Sequence, residues 1–272
     1  MEEPRIAVTI AGNDSDGSAG MPADLHSFYA RGVYGMGLMT AAVAGNTKGI
    51  FAQEVMPITF IQKQFEALND DFKISATKTG MLANQAVIDC VADNLLKYDM
   101  GPIVIDPVII TKHGATLLDE HAYQTFLTRL VPLATIITPN FYEQEKLTGA
   151  HMDSEQAIIA GAKKLQGMGA KNVLMKGKHD GQQASVRDYL LLANGTSEWL
   201  TRPYVATSRV NGTGDTLSAV ITAELAKGAT LLDSVRIAKH FTYEAIAHPI
   251  AVGEKFGPIN HQKAQSLLNN QK

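Results

Sequence analysis

Arg209-Val210-Asn211-Gly212-Thr213-Gly214-Asp215-Thr216-Leu217-Ser218-Ala219 runs from a glycine-rich turn straight into a helical segment that carries a carboxylate at its start. Glycines let a backbone come close to an anion, and the free N–H groups of a first helical turn, backed by the helix dipole, attract negative charge. Asp215 stands where it could take a proton from an attacking hydroxyl. A plain turn with an acidic first-turn residue has the same local pattern, so the rest of the chain must decide. The segment after the turn is expected to be an amphipathic helix.

Outward from that turn, short β-branched runs alternate with longer helix-patterned segments, as in a mostly parallel sheet covered on both faces. The fold class is α/β, doubly wound. Strands are expected at 5–10, 103–105, 135–138 and 172–175, with a loop at 11–19 and a helix at 20–30 stopped by Gly32. Asp153, three residues before Gln156, suggests a capping box for a helix ending at Gly169, and Thr230 with Asp233 suggests another. Asn194-Gly195 between two apolar runs predicts a β-hairpin, hence a small antiparallel edge. No repeat or linker divides the sequence, so residues 1–272 are expected to form one domain.

Composition narrows the function. With 272 residues, 45% hydrophobic, a net charge of −3 and a pI near 6.2, the chain has no basic footprint for nucleic acid. Cys90 is the single cysteine, which leaves no internal disulfide, and it lies on an apolar helical pattern that fits packing. No apolar run reaches the ~20 residues of a membrane span, and the first residues lack a leader pattern, so a cytoplasmic protein is expected.

Ligands in such sheets lie at the carboxyl ends of strands, and polar residues gather there. Gly12 lies in the loop after the first strand, with Asp24 on the next helix reaching the same cavity. That loop misses the G-x-G-x-x-G register, which argues against a dinucleotide. Asp106 ends the strand at 103–105 ahead of Pro107. Asn140 and Glu143 form T-P-N-x-x-E, readable as a helix cap, as a ligand contact, or as both. Lys176 ends a strand where its ammonium could meet a phosphate. Together, Asp106 and Glu143 suit Mg2+, Lys176 and the turn 212–214 suit phosphoryl oxygens, and Asp215 suits a base for an alcohol. A Walker loop is absent.

In these motifs the chain resembles the ribokinase-like superfamily, and within it the hydroxymethylpyrimidine/phosphomethylpyrimidine kinases and related pyridoxal kinases. The likeness runs through Thr9-Ile10-Ala11-Gly12-Asn13-Asp14-Ser15, Ala23-Asp24-Leu25, Lys78-Thr79-Gly80-Met81-Leu82, Asp106-Pro107-Val108, Thr138-Pro139-Asn140, Met175-Lys176-Gly177, the Gly212 turn, and Gly257-Pro258 before His261. It implies a homodimeric ribokinase-like fold that moves the γ-phosphate of ATP, with Mg2+, onto the hydroxymethyl group of a small heterocycle. It also implies ring contacts at Gly12, Asp24, Gly45, Met81 and Val108, and nucleotide contacts at Lys176, Asn140, Glu143, Asn211 and Lys239. Metal would be held by Asp106 and Glu143 through water, and the anion hole formed by Gly212, Thr213 and Gly214. A mobile flap is implied around residues 112–116.

Four positions depart from that pattern. Gly45 replaces a glutamine that reads the pyrimidine edge, Asp215 a frequent cysteine, Asn211 a frequent histidine and Pro22 a usual glutamine. On Gly45, the expected acceptor is pyridoxal, pyridoxine or pyridoxamine, with hydroxymethylpyrimidine or its phosphate as the alternative. A binding regulator that has lost catalysis is a third reading, opposed by the joint presence of base, anion hole and metal carboxylates.

Overall fold

The structure, a computed structural model, describes residues 3–110, 118–179, 181 and 183–269. The expected flap at 112–116 lies outside the described residues. Among those described, the strands are β1 (Ile6–Asp14), β2 (Tyr34–Asn46), β3 (Gly49–Val55), β4 (Ala76–Thr79), β5 (Ile103–Ile105), β6 (Ile136–Ile137), β7 (Val173–Met175), β8 (Ser185–Leu191) and β9 (Ser197–Pro203). They form one sheet in the order β3-β2-β1-β4-β5-β6-β7-β8-β9. Pairing is parallel from β2 through β7 and antiparallel at β2–β3, β7–β8 and β8–β9. The antiparallel edge expected at the Asn194-Gly195 hairpin is present, and β2–β3 adds one at the other end.

Strand alternation feeds two cores. Ile105, Ile137, Val173 and Met175 face one side with Val8 and Ile10. Val104, Ile136 and Leu174 face the other. The first side is covered by α2 (Ile58–Asp71), α3 (Gln85–Lys97), α4 (Glu120–Thr125), α5 (Phe141–Thr148) and α6 (Glu155–Gly167), and the second by α1 (Gly20–Ala30), α7 (Thr213–Ala226) and α8 (Leu231–Ala247). A last helix, α9 (His261–Asn269), packs on α8.

Three local readings change. Strand β1 continues to Asp14, because pairing with both β2 and Gly20 draws the expected loop into the sheet. Ser154, not Asp153, caps α6, its hydroxyl accepting from Ala157 N–H. Helix α7 is not amphipathic: residues 216–224 are buried on every side, since Leu217, Val220 and Ile221 meet α8 while Ala219 and Ala223 meet α1. A helix buried all round needs no polar stripe. Cys90 is buried in α3, as its pattern suggested.

Candidate active site

Strand order reverses at β1, whose neighbours are β2 and β4, and the carboxyl ends beside that point are where an open α/β sheet leaves a crevice. The N-terminus of α7 opens there. Gly212 is its N-cap in a left-handed conformation (φ 79°), and glycine brings no side chain to cap the first turn. The Ser18 carbonyl occupies the space a Cβ on Gly212 would need. Position 212 must therefore be glycine on two counts.

Four sequence-predicted residues come together at this turn. A Cβ built on Gly214 would lie 3.5 Å from Lys176 Nζ and 3.6 Å from Asp106 Oδ2. Lys176 Nζ is 3.1 Å from Asp106 Oδ1, and Ser218, one turn along α7, donates to Asp106 Oδ2 at 3.2 Å. Asp215 accepts from Gly20 N–H, and its carboxyl is pushed above the usual range by burial, with Lys78 opposing and Asp106 adding to the shift. That direction suits a proton acceptor. Burial pulls the Lys176 ammonium down, but Asp106 and Glu143 outweigh it and raise it above the ordinary lysine value. Lys176 thus stays a cation.

Glu143 and Asn140 turn out to be a complete capping box. The Asn140 side chain accepts from Glu143 N–H at 3.0 Å, while Glu143 Oε2 accepts from Asn140 N–H at 2.8 Å. Glu143 Oε1 also accepts from Ile109 N–H at 2.9 Å, and the Asn140 amide donates to the Ile110 carbonyl at 3.1 Å. The nucleotide contact expected of Asn140 therefore meets a side chain already bonded at both ends. Burial raises Glu143 to about 7 against the pull of Lys176, with Asp106 adding to the rise.

Two further expected contacts have protein partners of their own. Asp24 is wholly buried, 2.8 Å from Lys78 Nζ at both oxygens, and accepts from Thr9 Oγ1 at 2.5 Å. It belongs to α1, whose inner face packs on the side of the sheet that Thr9 faces. Burial pushes Asp24 up to about 7. Lys239 is held by Asp188 at 2.7 Å, and Asp188 also accepts from Gly177 N–H at 2.8 Å, so Lys239 braces the loop after Lys176 rather than presenting an open ammonium. Asn211 serves the frame too, its backbone bonded to Gly257 and Ile259.

The residues expected around a ring lie at the same end of the sheet. A Cβ on Gly12 would sit 2.7 Å from Met81 Cε, and Thr40 Oγ1 fixes the Met81 carbonyl at 2.7 Å. Gly45 is clasped by Ser15, whose hydroxyl donates to its carbonyl at 2.9 Å and accepts its N–H at 3.0 Å. Val108 adopts φ 47°, rare for a β-branched residue and a mark of a constrained position two residues after Asp106. Sequence reasoning passed over Lys78 and Ser218. A charged residue inside the short run Ala76-Thr77-Lys78-Thr79 was the available sign of the first, and the i+3 spacing from Asp215 that of the second.

The chain is similar to known kinases in sequence and in fold. A hydroxymethylpyrimidine/phosphomethylpyrimidine kinase of Haemophilus influenzae is 45% identical over 96% of this chain and 98% of its own length. The crystal structure of an ADP complex of Bacillus subtilis pyridoxal kinase superposes with a TM-score of 0.89 at 34% identity, covering 96% of this chain and 98% of that one. A phosphomethylpyrimidine kinase from Clostridium difficile superposes with a TM-score of 0.77 at 39% identity, over 89% of this chain and 99% of that one. The family model described as phosphomethylpyrimidine kinase matches residues 14–260. With Asp215, Lys176 and the glycine turn assembled on a ribokinase-like sheet, this chain is an ATP-dependent kinase and belongs to the phosphomethylpyrimidine kinase family.

Proposed function

We propose that the enzyme transfers the γ-phosphate of ATP to the hydroxymethyl group of hydroxymethylpyrimidine and to the phosphate ester of that compound. The observation that carries the phosphoryl transfer is the meeting of Gly214, Lys176, Asp106 and Asp215 at one helix terminus. The pyrimidine is preferred over the pyridoxal expected from Gly45 because the Haemophilus influenzae relative, 45% identical over 96% of this chain, carries the pyrimidine kinase name. Pyridoxal remains a second reading, supported by Gly45 and by the likeness to the Bacillus subtilis pyridoxal kinase.

In this mechanism Asp215 takes the proton of the acceptor hydroxyl as its oxygen bonds to the γ-phosphorus, and the bond to the β-phosphate oxygen breaks to release ADP. The N–H groups of the 212–214 turn and the Lys176 ammonium receive the charge on the phosphoryl oxygens. Asp106 and Glu143 would hold Mg2+ through water. Among the described residues no three His, Cys, Asp or Glu side chains form a metal cage, and two carboxylates fit an ion that keeps its waters and leans on substrate phosphates. When bound, the ion would neutralise phosphate charge.

Residues 1–272 would act as one kinase unit, and a cytoplasmic location belongs to the same proposal; no described helix is long and apolar enough to cross a membrane. Homodimerisation is part of the same proposal. Strand β3 is an uncovered sheet edge, exposing Ile50 and Phe51. Sedimentation at graded concentrations checks it, and a monomer throughout removes it. ADP release measured with hydroxymethylpyrimidine, its phosphate and pyridoxal side by side tests the acceptor. A higher kcat/KM for pyridoxal reverses the assignment.

A further inference from the structure

Residues 248–260 form neither helix nor strand, yet they are bonded to both ends of the cleft. At one end the segment grips Thr47, two residues beyond Gly45. Phe256 N–H donates to the Thr47 carbonyl at 2.8 Å and Glu254 N–H donates to Thr47 Oγ1 at 3.1 Å. At the other end it pairs with the catalytic turn: Asn211 N–H donates to the Gly257 carbonyl at 3.2 Å, and Ile259 N–H to the Asn211 carbonyl at 3.4 Å. Arg209 closes the loop between them, donating to the Val252 carbonyl at 2.7 Å.

The segment ends at His261, whose Nε2 is 2.8 Å from Thr216 Oγ1. Thr216 follows Asp215 and is wholly buried. His261 is gathered by three helices, with the His26 ring of α1 at 5.6 Å, the Phe241 ring of α8 at 6.5 Å, and Thr216 of α7. Burial, with His26 beside it, lowers His261 to about 4, so its ring is neutral near pH 7 and can pair with a hydroxyl without a charge. Neither Thr47 nor His261 has a role in the transfer described above. Thr47 holds the backbone of Glu254 and Phe256, and His261 holds the side chain of Thr216, next to Asp215.

We propose that residues 252–261 are a strap that positions the anion-binding turn against the ring end of the cleft, with Thr47 and His261 as its two fastening residues. The strap gives the enzyme a fixed distance between acceptor and phosphate, which two separate loops would otherwise set independently. Transfer is sensitive to that distance, since misplacement of about 1 Å by a change remote from the chemistry can lower turnover ~10²-fold. The strap rests on the kinase reading only for its effect on turnover.

The test uses Thr47→Val, which removes the hydroxyl but keeps the carbonyl, His261→Phe, which keeps an aromatic ring, and His261→Gln, which keeps a hydrogen-bonding side chain. Each of the first two should lower kcat ~10-fold while KM for ATP and acceptor stays within about twofold. Their double variant should be little worse than either alone, and His261→Gln should recover most of the loss. Amide exchange across residues 211–216 should quicken in both single variants, a readout independent of which alcohol the enzyme uses. Unchanged exchange in that turn, full additivity of the two substitutions, or a loss of melting temperature with kcat intact would each overturn the strap. If the unsubstituted enzyme phosphorylates neither ring, the acceptor reading falls while exchange still decides the strap.

Discussion

Lys78 Nζ lies 2.8 Å from each carboxylate oxygen of Asp24, and neither side chain is reached by solvent. Burial pulls the ammonium down, but Asp24, then Asp215 and Asp106, outweigh it and raise it above the usual lysine value. One cation thus answers both a structural carboxylate and the proposed base, Asp215. Lys78→Met leaves the buried Asp24 without its cation, with only the Thr9 hydroxyl as partner, and should cost about 3–5 kcal/mol of stability, read by urea unfolding. Replacing the pair together, Lys78→Met with Asp24→Leu, should restore much of that stability but not turnover. Recovery of both would deny Lys78 any part in the site.

Asp215→Asn tests the base. The amide keeps the shape and the partnership with Gly20 N–H but cannot accept the hydroxyl proton. Turnover should fall ~10²–10⁴-fold while ATP binding, followed by calorimetry, persists. A variant with near-normal kcat would remove Asp215 from the chemistry.

Gly212→Ala forces a Cβ onto a left-handed backbone and into the Ser18 carbonyl. Strain of this kind costs about 1–3 kcal/mol, so the melting temperature should drop. Turnover should drop further than instability explains, because the turn must shift away from the phosphate. Equal activity per folded molecule would show that the turn tolerates the shift.

The pH dependence of stability carries a signature of Glu143. Its folded value, about 7, lies above the ordinary 4.5, so the folded protein binds this proton more tightly than the unfolded chain. Its contribution is therefore complete below the ordinary value and is lost as pH rises through about 7. Glu143→Gln preserves an acceptor for the capping box and cannot ionise. Measured without metal or nucleotide, its unfolding free energy should fall less between about pH 5 and about pH 8 than that of the unsubstituted protein. Parallel profiles would place the proton elsewhere.

How much of this was legible in the sequence follows from how local each cause is. The Gly212 turn, the Asn140–Glu143 box and the Asn194-Gly195 hairpin are written in neighbouring residues and were readable as such. The central strands were recognisable by their apolar runs, though β6 pairs over only two residues. Strand β2 was not, since its many small residues and glycines blur the alternation that marks a strand. The ion pair of Asp24 was not legible, because its partner lies 54 residues away, on a strand across the sheet face. That of Lys239 was hidden for the same reason, its partner Asp188 being on β8. The acceptor was the least legible feature, because a single position, Gly45, carried the choice, whereas a ring is recognised by a whole pocket.

Val108 holds a left-handed backbone without being glycine, and its successor donates the amide that binds Glu143. Glycine there would relax that conformation and surrender speed, because the stiffness that aims Ile109 at the carboxylate would be gone. The gain from relieving Val108 is opposed by the freedom that glycine gives the unfolded chain, so the melting temperature of Val108→Gly reads the balance of the two.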